Sequence, residues 1–195
     1  MLAREAHLVA VDFESTGTVP GYPDEPWQIG IVPITGGKPD PSGVHERYIQ
    51  VAFDRPFNPC APGSWRKVRA EIAAALPLAE MVPTFGALVL GVPLVAHNAS
   101  TEKKFFRKHW PLHRPGPWID TLKLSRMAYP GLEMYELGEV IRHTGLEPQV
   151  RELVPGRDVH DALYDAAACA VLLSHLLRQP AWQDLTVDDL CRARG

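Results

Sequence analysis

Three short stretches of this chain set carboxylates where an apolar run stops or on one face of a predicted helix. Val9-Ala10-Val11-Asp12-Phe13-Glu14-Ser15-Thr16-Gly17 lies near the start. Val95-Ala96-His97-Asn98-Ala99-Ser100-Thr101-Glu102 lies in the middle, and His160-Asp161-Ala162-Leu163-Tyr164-Asp165 near the end. Side chains at i and i+2 of a strand share a face, so Asp12 and Glu14 point the same way. Neighbouring carboxylates repel unless a cation sits between them. On the pair alone, metal ligand and strand-end cap are equally good readings. An oxygen-only ligand set suits Mg²⁺ or Mn²⁺ rather than zinc. A pair of such ions is what hydrolysis of a phosphodiester by water requires.

At 195 residues the expectation is one domain over 1–195, with a core at 7–177 and a short helical extension at 178–195. Hydrophobic residues make up 46%, enough for a substantial core. A net charge of −3 argues against coating duplex DNA through a broad basic surface, but leaves room for a narrow groove that takes the end of one strand. Cys60, Cys169 and Cys191 form no CxxC pair, and Cys169 reads as a small buried hydrophobe. A disulfide framework is therefore not expected, and a reducing, cytoplasmic setting is. The first residues do not read as a signal peptide, and no apolar stretch reads as a membrane span.

The order of elements points to a mixed sheet covered by helices. Leu8–Phe13, Trp27–Ile34 and Val44–Ala52 read as an antiparallel meander, with Gly36-Gly37 as a turn. Helical patterns cover Trp65–Leu76, through Val68, Ile72, Ala75 and Leu76, and Leu78–Leu90. Val92–Ala96 reads as a strand, followed by a helix capped by Asn98 and running to about His109. Trp118–Ile119 reads as a short strand before a helix over Leu122–Met127 that Asp120-Thr121 opens. Met134–His143 is helical, with Gly145 closing it. Val159–Leu177 is the longest apolar-periodic helix, and Thr186–Cys191 a last short one with Thr186 as N-cap.

His160 fits at or just before the start of its helix, with Asp165 inside the first turns. From there it could reach a water on a metal held by Asp165 and take its proton near neutral pH; a surface or capping histidine is the alternative. Asp158 and Asp161 read as solvent-facing first-turn acids. Glu102 alone reads as a surface acid. His97 and Asn98 read as shaping a strand-to-helix turn, with Asn98 near substrate. Trp65 and Trp118 read as core or loop anchors. Lys103, Lys104, Arg107 and Lys108 form a basic run that is a solvated face by default but beside a metal site attracts phosphates.

Together these segments resemble the DEDD superfamily of 3′→5′ exonucleases in its DEDDh subclass, the group that includes the polymerase III epsilon subunit and ribonuclease T. Val11-Asp12-Phe13-Glu14-Ser15-Thr16-Gly17 is similar to the first motif, Leu94–Ser100 to the lead-in of the second, and Asp120-Thr121-Leu122-Lys123-Leu124-Ser125-Arg126 to a DTLxLAR segment. His160–Asp165 is similar to the HxxxxD third motif. The second motif departs from the pattern, with Glu102 where the family has Asp and Thr101 where it has an aromatic. The resemblance implies a ribonuclease H-like α/β fold, a five-stranded mixed sheet flanked by helices. It implies two Mg²⁺ or Mn²⁺ ions, with Asp12 bridging both, Glu14 and Asp165 completing the tighter site, and Glu102 in an outer role. His160 would be the base, and backbone groups around Phe13 and Thr16, with Asn98 nearby, would hold the terminal nucleotide. The expected activity releases nucleoside 5′-monophosphates from single-stranded DNA or RNA 3′ ends, with DNA favoured. A nonenzymatic or weakly active nucleic-acid-binding module is the alternative. A polymerase-docked subunit ranks lower, because no long tethering tail follows the third motif. A homodimer is left open.

Overall fold

The computed structural model describes residues 1–194. One sheet runs through it in the order β3-β2-β1-β5-β6, built from β1 (Leu8–Ser15), β2 (Pro26–Thr35), β3 (Lys38–Pro39), β4 (His45–Tyr48), β5 (Leu94–Ala96) and β6 (Trp118–Asp120). β1, β2 and β4 form the expected antiparallel meander, and β5 and β6 run parallel to β1. β3 meets Ile34–Thr35 while β4 meets Gln28–Ile31, so the two share one edge of β2 end to end. Pro39 ends β3 and Pro41 follows two residues on, where an edge strand loses its donors. The sheet thus has the five expected positions, with one edge broken in two. Gly36 and Gly37, both at positive φ, turn β2 into β3.

The pleat divides β1 between two cores. Val9, Val11 and Phe13 pack with Ile29 and Ile31 against Phe85, Phe105, Phe106 and Trp110. Leu8 and Ala10 pack with Val32 and Ile34 against the long helix α7 (Ala162–Leu177). Asp12 and Glu14 continue that second face, and their cross-strand partners are Gly30 and Gln28. α7 is buried for most of its length, with Ala166, Ala167, Ala168, Cys169 and Ala170 fully inside. Such small side chains let a helix lie close to a sheet. At its first turn the approach is closest: a Cβ on Gly30 would lie 2.2 Å from the Ala162 carbonyl oxygen and 2.5 Å from Leu163 Cα.

The remaining helices are α1 (Arg69–Ala74), α2 (Val82–Val89), α3 (Ser100–His109), α4 (Thr121–Ala128), α5 (Leu137–His143), α6 (Glu147–Leu153) and α8 (Val187–Cys191). α4, α5 and α6 cover the outer side of α7, and α2 and α3 lie on the opposite face of the sheet. The helical stretches expected at 65–76 and 78–90 each open as a 3-10 turn, and Leu76 is exposed rather than core. The sequence reading gave no element to 147–153, yet α6 forms there and buries Val150. Asn98 does not cap α3: it stands at φ 62, and the helix starts at Ser100 with no side-chain cap. Thr186 does cap α8, in a capping box with Asp189. Leu2 bridges Thr186, and Trp182 and Leu190 enter the α7 core. No single helix among the described residues is long and apolar enough to cross a membrane.

Gly30→Ala should cost about 1–3 kcal/mol, because the new methyl must push the first turn of α7 off the sheet. Thermal or denaturant unfolding checks this, and an unchanged midpoint would contradict the packing described.

Candidate active site

The parallel strands β1, β5 and β6 end on the same edge, and each delivers a polar residue there. This is the edge where open α/β sheets form clefts. β1 ends in Asp12 and Glu14, with a bulge between Glu14 and Ser15 that ends regular pairing. Glu14 is buried and Asp12 half-buried. Across the cleft, Asp165 lies in the first turn of α7. Just before that helix, His160 is exposed and held at φ 64. Its backbone N–H donates to Asp165 Oδ2 at 3.2 Å. One ligand atom each from Glu14, His160 and Asp165 lies within 4.8 Å of the others. His160 and Asn98 are the only non-glycine residues at positive φ among the described residues, and both flank this cleft. Strained backbone of this kind gathers at functional sites.

The start of α7 is fixed from β2. Gln28 is buried, and its Oε1 accepts the Ala162 N–H at 3.2 Å. Its Nε2 donates to Glu46 Oε1 at 2.7 Å and to Asp161 Oδ2 at 3.2 Å. Arg157 joins Glu46 to Asp161, donating to Asp161 Oδ2 at 2.9 Å. Asp161 also caps α7, accepting from Leu163 N at 3.0 Å and from Tyr164 N. It is therefore a structural N-cap rather than the solvent-facing acid expected. Asp158 is exposed as expected and pairs with Arg151. On the far side, Gly63 at φ +85 brings its loop against the His160 carbonyl, 2.8 Å from where a Cβ would sit.

Glu102 is buried in the first turn of α3, against its reading as a surface acid. Its Oε2 has no hydrogen-bond partner. Asp120 caps α4 through Leu122 N at 3.1 Å and also accepts the Asn98 N–H at 3.0 Å, tying β6 to the turn after β5. His97 shapes that turn, as expected: Nδ1 meets Thr121 Oγ1 at 3.0 Å and Nε2 meets the Tyr135 carbonyl at 2.7 Å. Burial holds its pKa below the usual histidine range. Asn98 is exposed at the same corner, its Oδ1 accepting from the Ser100 hydroxyl at 2.8 Å.

Phe13 points away from the carboxylates, edge-on to Phe105 at 5.6 Å and Phe106 at 5.2 Å. Thr16 is fully buried; its N–H donates to the Glu25 carbonyl at 2.8 Å, and its own carbonyl accepts from Asn58 N at 2.8 Å. Its hydroxyl accepts the Glu25 N–H at 3.1 Å. Trp65 and Trp118 are loop anchors, their indoles donating to the Ala61 and Pro115 carbonyls.

Burial, and after it the charge of neighbouring carboxylates, raises the pKa of each acid here. Burial, first, and then Asp165, Glu102, Glu14 and Asp161 push Asp12 well above the carboxylate range. Burial, with Asp165 and Asp161, lifts Glu14 to about 8. Burial lifts Glu102 to about 8, with Asp120 adding and its own backbone contact opposing. Burial lifts Asp165 to about 7 against the His160 N–H. An oxygen-rich cluster with one unpartnered buried carboxylate oxygen fits a hard divalent cation. Asp12, Glu14 and Asp165 are the residues that could hold it, with Glu102 beside them.

Sequence reading missed Gln28, Gly30, Glu46 and Arg157. The available signal was a glutamine and a glycine inside an apolar strand, Trp27-Gln28-Ile29-Gly30-Ile31-Val32.

A ribonuclease H-like sheet with acids from β1, α3 and α7 around one cleft defines an exonuclease-type domain. The chain belongs to the exonuclease family RNase_T, whose family model matches residues 9–173. Among curated relatives, it is 28% identical to a DNA polymerase III subunit epsilon-like protein of Rhodobacter capsulatus, over 87% of this chain and 23% of the relative. It is 30% identical to exodeoxyribonuclease 10 of Escherichia coli K12, over 66% of this chain and 53% of the relative. The chain therefore spans about a quarter to a half of the length of these two. Among solved structures, Exonuclease X in complex with 5′ overhanging duplex DNA superposes with a TM-score of 0.72 at 28% identity, covering 96% of this chain and 99% of that one. E. coli Exonuclease I with a dT13 oligonucleotide shares the fold, with a TM-score of 0.66 at 18% identity over 92% of this chain and 43% of that one.

With divalent ions chelated, stability should fall as pH rises. The folded protein keeps protons on Glu14 and Glu102 up to about pH 8, whereas an unfolded chain releases them near pH 4. Between those limits the folded state binds more protons, so each step up in pH favours unfolding. Melting temperature measured in chelator from acid to mildly alkaline pH should drop, and Mn²⁺ should restore it most at the alkaline end. A flat profile would contradict the crowding of these acids. Gln28→Leu leaves the buried Ala162 N–H without its partner and takes one of several donors from Asp161, and should cost about 1–3 kcal/mol in the same melts.

Proposed function

We propose that this domain is a divalent-metal-dependent 3′→5′ exonuclease that removes nucleoside 5′-monophosphates from single-stranded ends, with DNA favoured over RNA. The observation that carries the reading is the meeting of Glu14, His160 and Asp165 within 4.8 Å, with Asp12 close enough to Asp165, Glu102 and Glu14 that their charges add to its proton affinity. Family membership supports hydrolysis of nucleic acid, and relatives named exodeoxyribonuclease and Exonuclease X with DNA support the preference for DNA.

Asp12, Glu14 and Asp165 would hold Mg²⁺ or Mn²⁺, two ions in all, with Glu102 in an outer position. Ions bound there would supply Lewis-acid stabilisation of phosphoryl charge and lower the pKa of coordinated water. The exposed imidazole of His160 would take the proton from the attacking water as general base. Asp165 also fixes His160 by accepting its backbone N–H. Holding the base in advance contributes through orientation. Phe13 and Thr16, both buried, would support the end of β1 against which the terminal nucleotide lies, and exposed Asn98 would offer its amide from the turn after β5. Glu102, one methylene longer than aspartate, would reach further toward an ion held by Asp12.

A second reading, a domain that works within or beside a polymerase, is favoured by the polymerase III relatives. A stable complex with a polymerase subunit in co-purification would support it.

The test is digestion of matched 5′-labelled DNA and RNA single strands with Mg²⁺, Mn²⁺ or chelator. Stepwise shortening from the 3′ end should need the metal. His160→Ala should slow it by about 10²–10⁴-fold. Full activity in His160→Ala, or cleavage undiminished by chelator, would sink the mechanism.

A further inference from the structure

Outside the carboxylate site, the basic run of α3 meets the 110–118 segment at a cleft of about 440 Å³. Lys103, Arg107, His113 and Arg114 line it together with Phe106 and Trp118, and no acid does. That is unusual placement for a chain of net charge −3. Lys103, Arg107 and Arg114 form no ion pair among the described residues. Unpaired cations gathered in one concavity repel one another and focus a positive field outward.

The walls are held in place. The Trp118 indole donates to the Pro115 carbonyl at 2.8 Å, and its ring lies 6.0 Å from Phe106. The Lys103 ammonium sits 5.7 Å from the centre of that ring. Arg114 spends Nη1 on the Pro111 and His113 carbonyls, at 3.0 Å and 3.1 Å, which fixes its guanidinium while Nη2 stays unspent. Arg107 follows Lys103 by four residues, about 6 Å along the helix axis. Lys103 in turn follows Glu102 directly. The cleft runs along α3 from Lys103, in the turn that carries Glu102, to the 110–118 segment at the start of β6.

We propose that this cleft binds phosphates of a nucleic-acid strand beyond the nucleotide being removed, with Arg107 and Arg114 as the principal contacts and Trp118 as an apolar wall for sugar. The inference rests on the nuclease reading for the identity of the polyanion. Backbone contacts of this kind position a strand without reading its sequence. They make affinity depend on strand length and on salt.

The experiment measures binding rather than turnover, so it reads even where no cleavage occurs. Fluorescence anisotropy in chelator would compare a labelled dinucleotide with a labelled strand long enough to leave the catalytic pocket, for the wild type and for Arg107→Glu/Arg114→Glu. These positions avoid Lys103, which adjoins Glu102. The preference for the long strand should fall at least tenfold in the variant. The slope of log affinity against log salt should shrink by about 1.4, at about 0.7 per phosphate lost. An Arg107→Gln/Arg114→Gln variant with unchanged melting temperature should show the same direction with a smaller loss. Long-strand affinity and salt slope equal to wild type in both variants would overturn the proposal. So would loss of binding to an acidic peptide with oligonucleotide binding intact, which would mark the cleft as a peptide site. Catalytic inactivity of the wild type with this length-dependent binding preserved would refute the nuclease reading and leave the cleft standing.

Discussion

The arrangement depends on how closely α7 lies against the sheet. Gly30 has no side chain to hold the helix off, and its cross-strand neighbour is Asp12. Two residues along, Gln28 faces Glu14 and grips the Ala162 N–H and the Asp161 carboxylate. The two β2 residues opposite the two β1 acids therefore set the distance and the angle of the helix that carries Asp165. A bulkier residue at either point would separate the third carboxylate from the first two.

That closeness has an electrostatic consequence. Burial and mutual repulsion leave Asp12, Glu14, Glu102 and Asp165 all easier to protonate than free carboxylates. A fold gains nothing in stability from assembling such a group, and Glu102 is left with an unpartnered oxygen. Two non-glycine residues at positive φ border the same cleft. Unfavourable features concentrated at one edge of an otherwise well-packed sheet mark the place where function outweighs stability.

Much of this was legible from local pattern. The alternation in Leu8–Ser15 places Asp12 and Glu14 on one face, and the long apolar helix after His160 needs only its own periodicity. What was not legible came from long-range packing. Nothing near Gln28 or Gly30 says which helix will land on them. Glu102 looks like any first-turn acid until the sheet closes over it. Asn98 has the residue type of a cap, but the turn after β5 draws its N–H to Asp120 and sends it into the left-handed region. Pro148 hid α6, since a proline in the first turn of a helix looks locally like a break.

The proposed function requires divalent ions in the cleft between β1 and α7. The most direct measurement is anomalous diffraction from crystals soaked in Mn²⁺. Manganese peaks are expected in contact with carboxylate oxygens of Asp12, Glu14 and Asp165, beside the imidazole of His160. A cleft that stays free of manganese, in protein that still degrades DNA in the same buffer, would contradict that requirement.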